Sequence, residues 1–154
     1  REPKAILTKA LRIMSLDNPQ KKMSKSLPAG CLYLSDLPKT IREKVKRATT
    51  DSHREVGFDP ANRPGISNLV LIYSEFSGLA IPLILKKFKG AGYASFKADL
   101  AELVIYALKP FQEKRAELLK DRKSVMKILD AGRGRAQPIA QATLAQVKRR
   151  IGLI

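Results

Sequence analysis

The chain is poor in several residue types. It has no tryptophan, one histidine and one cysteine in 154 residues. A lone cysteine, Cys31, excludes an internal disulfide and a paired-cysteine metal site, and it fits a reducing compartment. Its neighbours in Cys31–Leu34 are apolar, so the thiol reads as a packing group rather than a nucleophile. His53 lacks a Cys or Glu partner at ligand spacing, and no metal site is expected. Aromatic residues make up 6% of the chain, which does not support a broad stacking platform for single strands. No run approaches the roughly 20 apolar residues that cross a bilayer. The run at 65–73 is too short, and that at 79–85 contains Pro82. Arg1 opens no signal-peptide pattern. The sequence reads as soluble, in the cytoplasm or an organellar matrix.

Acidic side chains are also scarce. Fourteen Asp and Glu stand against 30 Lys and Arg, a net charge of +16, and the pI is about 10.2. Such an excess speaks about partners rather than fold. The positive charge is spread over several segments instead of one basic amphipathic helix, which favours nucleic acid or nucleotide phosphate over a membrane surface.

What is present is enough apolar material, 44%, for a compact core. The reading is mainly α. Asp17–Pro19 forms a turn, and Cys31–Leu34 is apolar enough for one short strand. Ser35 or Asp36 caps a helix over about 38–51, with Pro38 in its first turn and Ile41, Val45 and Ala48 on its buried stripe. Its other faces carry Lys39, Arg42, Lys44, Lys46 and Arg47. An unusually apolar helix follows from Ile66 to Phe76 and stops at Gly78. A short helix surrounds Pro82. A long one starts at a Ser95 cap, buries Phe96, Leu100, Val104 and Leu108, kinks at Pro110 and resumes. Two more helices are expected at 124–129 and 136–151. Between them Gly132–Arg135 reads as a junction with an exposed basic tip, or as a phosphate contact.

One segment carries chemistry. Lys21–Ser26, "KKMSKS", lies between Pro19 and Pro28. A movable lysine–serine loop suits a polyphosphate whose charge shifts during reaction. Phosphoryl and nucleotidyl transfers depend on positioning and charge stabilisation. Lysine supplies a point charge on a flexible stem, and serine supplies hydroxyl donors.

The order of residues is more specific than the charge. "KMSKS", preceded by "RIMSLDNP", resembles the second signature of class I aminoacyl-tRNA synthetases. Beyond it, "YLSDLPKTIREKVKRATTDS", "FDPANRPGISNLVLIYSEFSG" and "GAGYASFKADLAELVIYALKPFQEKRAELL" resemble bacterial-type tryptophanyl-tRNA synthetases, in that family's order and over essentially the whole chain. Tyrosyl-tRNA synthetases should not carry the "RPGISNL" run after "KRATTDS".

The resemblance implies several roles. Lys22 and Lys25 hold the triphosphate and stabilise the departing pyrophosphate. Ser24 and Ser26 assist at the phosphates, and Ile13 and Met23 touch the adenine ring. Residues 1–35, with the loop at 21–27, are the end of a Rossmann-type catalytic domain, and the short strand is left over from it. Residues 36–154 are a helical domain reaching the anticodon of tRNA(Trp). Lys44 and Arg47 are expected on the RNA backbone, with Asp51, His53 and Arg54 near the bases. The partners implied are tRNA(Trp), tryptophan, ATP with Mg2+, and a second subunit in a homodimer. The first signature, a histidine pair, is expected outside these residues, since His53 stands alone; the fragment by itself would then be inactive. The family continues "KMSKS" with Asp-Pro-Asn, whereas here Ser26 runs straight into Leu27–Gly30. Either the loop is trimmed in this lineage, or residues are omitted after Ser26, which fits a loop that moves during catalysis. The reading from another class is a free-standing basic RNA-binding module.

Overall fold

The computed structural model describes residues 3, 4, 10 and 12–153. Among them lie one 3-10 turn, Pro28–Gly30, and five helices: α1 Pro38–Arg47, α2 Pro64–Ser77, α3 Ile81–Lys87, α4 Tyr93–Lys120 and α5 Arg122–Arg150. The chain divides into two compact units, residues 1–110 and 111–154.

The first unit holds the core. Proline stands in the opening turn of α1, α2 and α3, where its missing N–H has no helical partner to lose. α1 buries Ile41 and Val45, and Ala48 follows at its exit. α2 buries most of its first three turns, Gly65 to Tyr73, and ends at Gly78 in a left-handed conformation, φ 70°. Phe96, Leu100, Val104 and Leu108, four apart, put one stripe of α4 into the same core. Tyr73, Phe88 and Phe96 form an aromatic cluster with centroids 5.0–5.8 Å apart. The Lys87 ammonium binds its polar edge, 2.6 Å from Tyr73 Oη and 3.0 Å from Asp99.

The expected strand at Cys31–Leu34 is not formed. Among the described residues there is no strand, only a single antiparallel bridge between Met14 and Lys22. A strand exists through its ladder, and residues 31–34 are not assigned to one. Cys31 is buried, as its neighbours suggested. α1 ends at Arg47, earlier than expected, and α4 begins at Tyr93, before Ser95. α4 continues through Pro110, and the two units divide there.

The second unit corrects the expected break at Gly132–Arg135. α5 is one helix over Gly132, Gly134 and Pro138. Each glycine costs about 1 kcal/mol relative to alanine, too little to stop a 29-residue helix. Asp121 caps it by accepting the Ser124 N–H at 3.0 Å. An Asp130–Arg133 ion pair of 3.3 Å bridges the glycine region on the helix surface. α5 buries none of its residues.

Candidate nucleotide site and nucleic-acid face

Residues 13–23 fold back on themselves as a two-sided ribbon. Asn18 makes the turn: its side chain accepts the Gln20 N–H at 3.0 Å and its carbonyl accepts the Lys21 N–H at 3.0 Å. Ser15 N–H then donates to the Lys21 carbonyl at 2.8 Å, and Met23 N–H to the Ile13 carbonyl at 3.0 Å. This pairing sets Ile13 beside Met23. Both pack against the core and line one apolar cavity of about 310 Å3 with Leu32, Tyr33, Phe76 and Val104. Lys22 and Lys25 are exposed, as is Ser26, while Ser24 is half-buried. A turn closes the segment: Leu27 N–H donates to the Ser24 carbonyl at 3.0 Å and Ser26 N–H to Ser24 Oγ at 3.3 Å. The apolar pair and Lys22 lie on the ribbon and Ser24, Lys25 and Ser26 on the turn that follows it, with the pair turned inward and both lysines turned to solvent.

Three contacts brace the ribbon and the turn after it, and none was anticipated from sequence. Met14 has its N–H and carbonyl directed away from the ribbon, and both are taken by Asn68 of α2 at 2.9 Å. Thr49, just past α1, donates its N–H to the Leu16 carbonyl and its hydroxyl to the Asp17 carbonyl, each at 2.7 Å. Tyr33 donates its hydroxyl to the Lys25 carbonyl at 2.9 Å. The polar pair Ser67–Asn68 inside the largely apolar run Ile66–Tyr73 was the available signal for the first of these.

The residues expected to face RNA separate into two groups. Arg47, His53 and Arg54 are exposed around the C-terminal end of α1. Lys44 is turned inward instead. Its ammonium donates to Asp36 at 2.7 Å and the Cys31 carbonyl at 2.8 Å, lies 4.7 Å from the Tyr33 ring centroid, and its side chain is 17% exposed. Asp51 is also engaged: Arg63 Nε lies 2.8 Å away, and Tyr93 Oη and the His53 N–H both donate to it. Burial pushes the Asp51 carboxyl up, but the hydrogen bonds from Arg63, Tyr93 and the His53 amide outweigh it and hold it below its usual range. The Asp51 bond raises the Arg63 guanidinium, and burial together with Asp51 raises the Tyr93 phenol. Lys97 donates to the Ala48 carbonyl at 2.7 Å, closing the end of α1, and burial lowers its ammonium. The loop after α1 is therefore built on a fixed ionic base, with His53 and Arg54 displayed on it.

Comparison with known proteins assigns the chain to a family. Residues 1–109 match the family model of the class I tRNA synthetases (W and Y). The tryptophan–tRNA ligase of Bacillus anthracis is 45% identical over 92% of this chain and 44% of its own length. That of Caldanaerobacter subterraneus is 44% identical over 97% of this chain and 46% of its own. The chain thus spans less than half the length of these curated relatives. The crystal structure of tryptophanyl-tRNA synthetase from Mycoplasma pneumoniae superposes with a TM-score of 0.81 at 31% identity, covering 96% of this chain and 45% of that one. The Campylobacter jejuni enzyme, complexed with ADP and tryptophan, gives 0.68 at 29% identity over 92% of this chain and 43% of that one. The chain belongs to the class I tRNA synthetases of the tryptophan and tyrosine family, and within it groups with the tryptophan ligases.

Proposed function

We propose that this chain supplies the ATP-phosphate loop and the tRNA-facing helical body of a tryptophan–tRNA ligase. Residues 1–35 form the end of its catalytic domain and 36–154 the anticodon-binding domain. The enzyme activates tryptophan with ATP, forming tryptophanyl-adenylate and pyrophosphate, and then transfers the tryptophanyl group to tRNA(Trp). ATP enters as its Mg2+ complex. The enzyme acts as a homodimer in the cytoplasm, and the tryptophan pocket is formed mainly by residues outside this chain.

The observation that carries the reading is the two-sided ribbon: Ile13 and Met23 side by side over one cavity, with Lys22 and Lys25 exposed along the same segment. An apolar pair suits the adenine ring. Two exposed ammonium groups suit the triphosphate, whose β- and γ-phosphates gain negative charge as the bond from the α-phosphorus to the bridging oxygen breaks. Lys22 and Lys25 stabilise that charge, and Ser24 and Ser26 donate hydrogen bonds to phosphate oxygens. Arg47, His53 and Arg54 supply the exposed cationic and polar groups that the RNA side requires.

The test is tryptophan-dependent exchange of pyrophosphate into ATP, with the protein at its native length. Lys22→Ala and Lys25→Ala should each lower the exchange rate by about 100-fold, the usual cost of one donor to a transition-state charge. Exchange that ignores both substitutions would sink the reading. Binding of tRNA with no exchange at all would favour the free-standing RNA-binding module.

A further inference from the structure

We propose that Tyr33, clamped by Lys44 and Asp36, is a positioning residue for Lys25. The inference rests on the reading of Lys25 as a phosphate ligand. Lys25 sits at the tip of an exposed turn, where a lysine ordinarily samples many rotamers. Stabilising a developing charge requires the ammonium already in place, since reorganising it during reaction costs rate.

The ribbon fixes Met23 through Ile13 and Leu27 through Ser24, on either side of Lys25. Tyr33 acts on Lys25 itself, its hydroxyl donating to the Lys25 carbonyl at 2.9 Å. Tyr33 is in turn held. Its N–H donates to Asp36 Oδ2 at 3.0 Å, and its carbonyl accepts the Asp36 N–H at 3.0 Å. The Lys44 ammonium lies 4.7 Å from its ring centroid while donating to Asp36 at 2.7 Å and to the Cys31 carbonyl at 2.8 Å. Lys44 projects from α1 between the fully buried Ile41 and Val45. A continuous path therefore runs from the core, through α1 and Lys44, to Tyr33 and the backbone of Lys25. The cation over the ring also sets the tilt of the phenol, and so where its hydroxyl can reach.

A tyrosine that only packed would behave differently. The Tyr33–Lys25 bond is exposed to solvent, so deleting the hydroxyl exchanges it for bonds to water and hardly changes stability. Its effect should appear in rate.

The experiment compares Tyr33→Phe and Lys44→Met with the unsubstituted protein at its native length, in tryptophan-dependent pyrophosphate exchange. Each should lower kcat by about 3–10-fold, the scale of one modest hydrogen bond, with KM for ATP within about twofold. In Tyr33→Phe the Tm should move by no more than about 2 °C. Added to Lys25→Ala, Tyr33→Phe should cost less than about 1.5-fold further, because residues acting through one group are not additive. An unchanged kcat in Tyr33→Phe, or an equal loss in the Lys25→Ala background, overturns the inference while leaving the role of Lys25 intact. A Lys25→Ala protein with normal exchange overturns both.

Discussion

Asn68 and Met14 exchange two hydrogen bonds of 2.9 Å although 54 residues separate them. Met14 and Lys22 form the one bridge of the ribbon, while the bonds between its two sides run through the neighbours, Ile13–Met23 and Ser15–Lys21. In that register the N–H and carbonyl of Met14 face outward. Asn68 satisfies both, as a third strand would, from the middle of a helix. Its side chain does so from a residue only 6% exposed. Asn68→Ala should lose about 1–3 kcal/mol of unfolding free energy in a denaturant titration, because two part-buried backbone groups are left unpaired. Asn68→Asp keeps the acceptor for Met14 N–H but sets a carboxylate against the Met14 carbonyl, and should be destabilised as well. A loss under about 0.5 kcal/mol for Asn68→Ala would mean that water replaces the clamp.

Much of the helical body was legible because burial and period coincide there. Phe96, Leu100, Val104 and Leu108 fall four apart and are all buried, and Gly78 ends α2 as its backbone freedom allows. The supports of the ribbon were not legible, because they join residues far apart in sequence. Lys44 lies off the apolar stripe of α1, so its period places it on the outward side. What turns it inward is Asp36 and the Cys31 carbonyl, which arrive from the preceding loop. Asn68 offers only a polar break in an apolar run, and nothing local says which backbone it serves. The strand expected at 31–34 failed for a related reason, since strand propensity is a statement about neighbours. The order of the motif, rather than charge, singled out the residues of this segment, whereas the pairing that sets Ile13 beside Met23 is a product of the fold.

Gly30 is a position where the ribbon needs a hydrogen in place of a side chain. Its carbonyl accepts the Leu16 N–H at 2.9 Å, and a Cβ built there would lie 1.8 Å from Ser15 Oγ and 2.0 Å from Asp17 Oδ1. Ser15 is buried and its hydroxyl donates to Asp17 at 2.6 Å, so it cannot simply turn away. Gly30→Ala should cost about 1–3 kcal/mol, the usual penalty for overpacking. It should also raise KM for ATP in pyrophosphate exchange, because the turn at 17–20 would shift. Unfolding titrations and exchange kinetics on the same preparation check both effects.

The Asp51–Arg63–Tyr93 group predicts an acid-dependent stability. The Asp51 carboxyl titrates below the ordinary 3.8 in the folded chain, so as the pH falls the unfolded chain takes up this proton first. The stabilisation is therefore present above about pH 4 and is lost as the pH drops through the lower folded value. Removing the charge with Asp51→Asn should cost about 1–2 kcal/mol near neutral pH, since Arg63 and Tyr93 lose a charged acceptor. The gap between the two proteins should stay constant from about pH 7 to pH 5 and close below about pH 4. A gap that instead widened in acid would mean that the carboxylate is destabilising in the fold. Urea titrations at stepped pH measure it.

Arg47 carries the last prediction, which concerns RNA. It is exposed in the final turn of α1, next to the loop that displays His53 and Arg54. A phosphate contact made there releases a counterion, so affinity falls with salt at a slope that counts such contacts. Arg47→Glu should weaken tRNA binding by about tenfold at low salt and flatten the slope of log K against log salt by about 1. Lys44→Met should leave that slope unchanged, because the Lys44 ammonium already binds Asp36 and the Cys31 carbonyl. Filter binding of tRNA across a salt series separates the two. An Arg47→Glu protein with the original slope would move the RNA face away from the end of α1, and a flattened slope for Lys44→Met would show that RNA draws Lys44 out of its clamp.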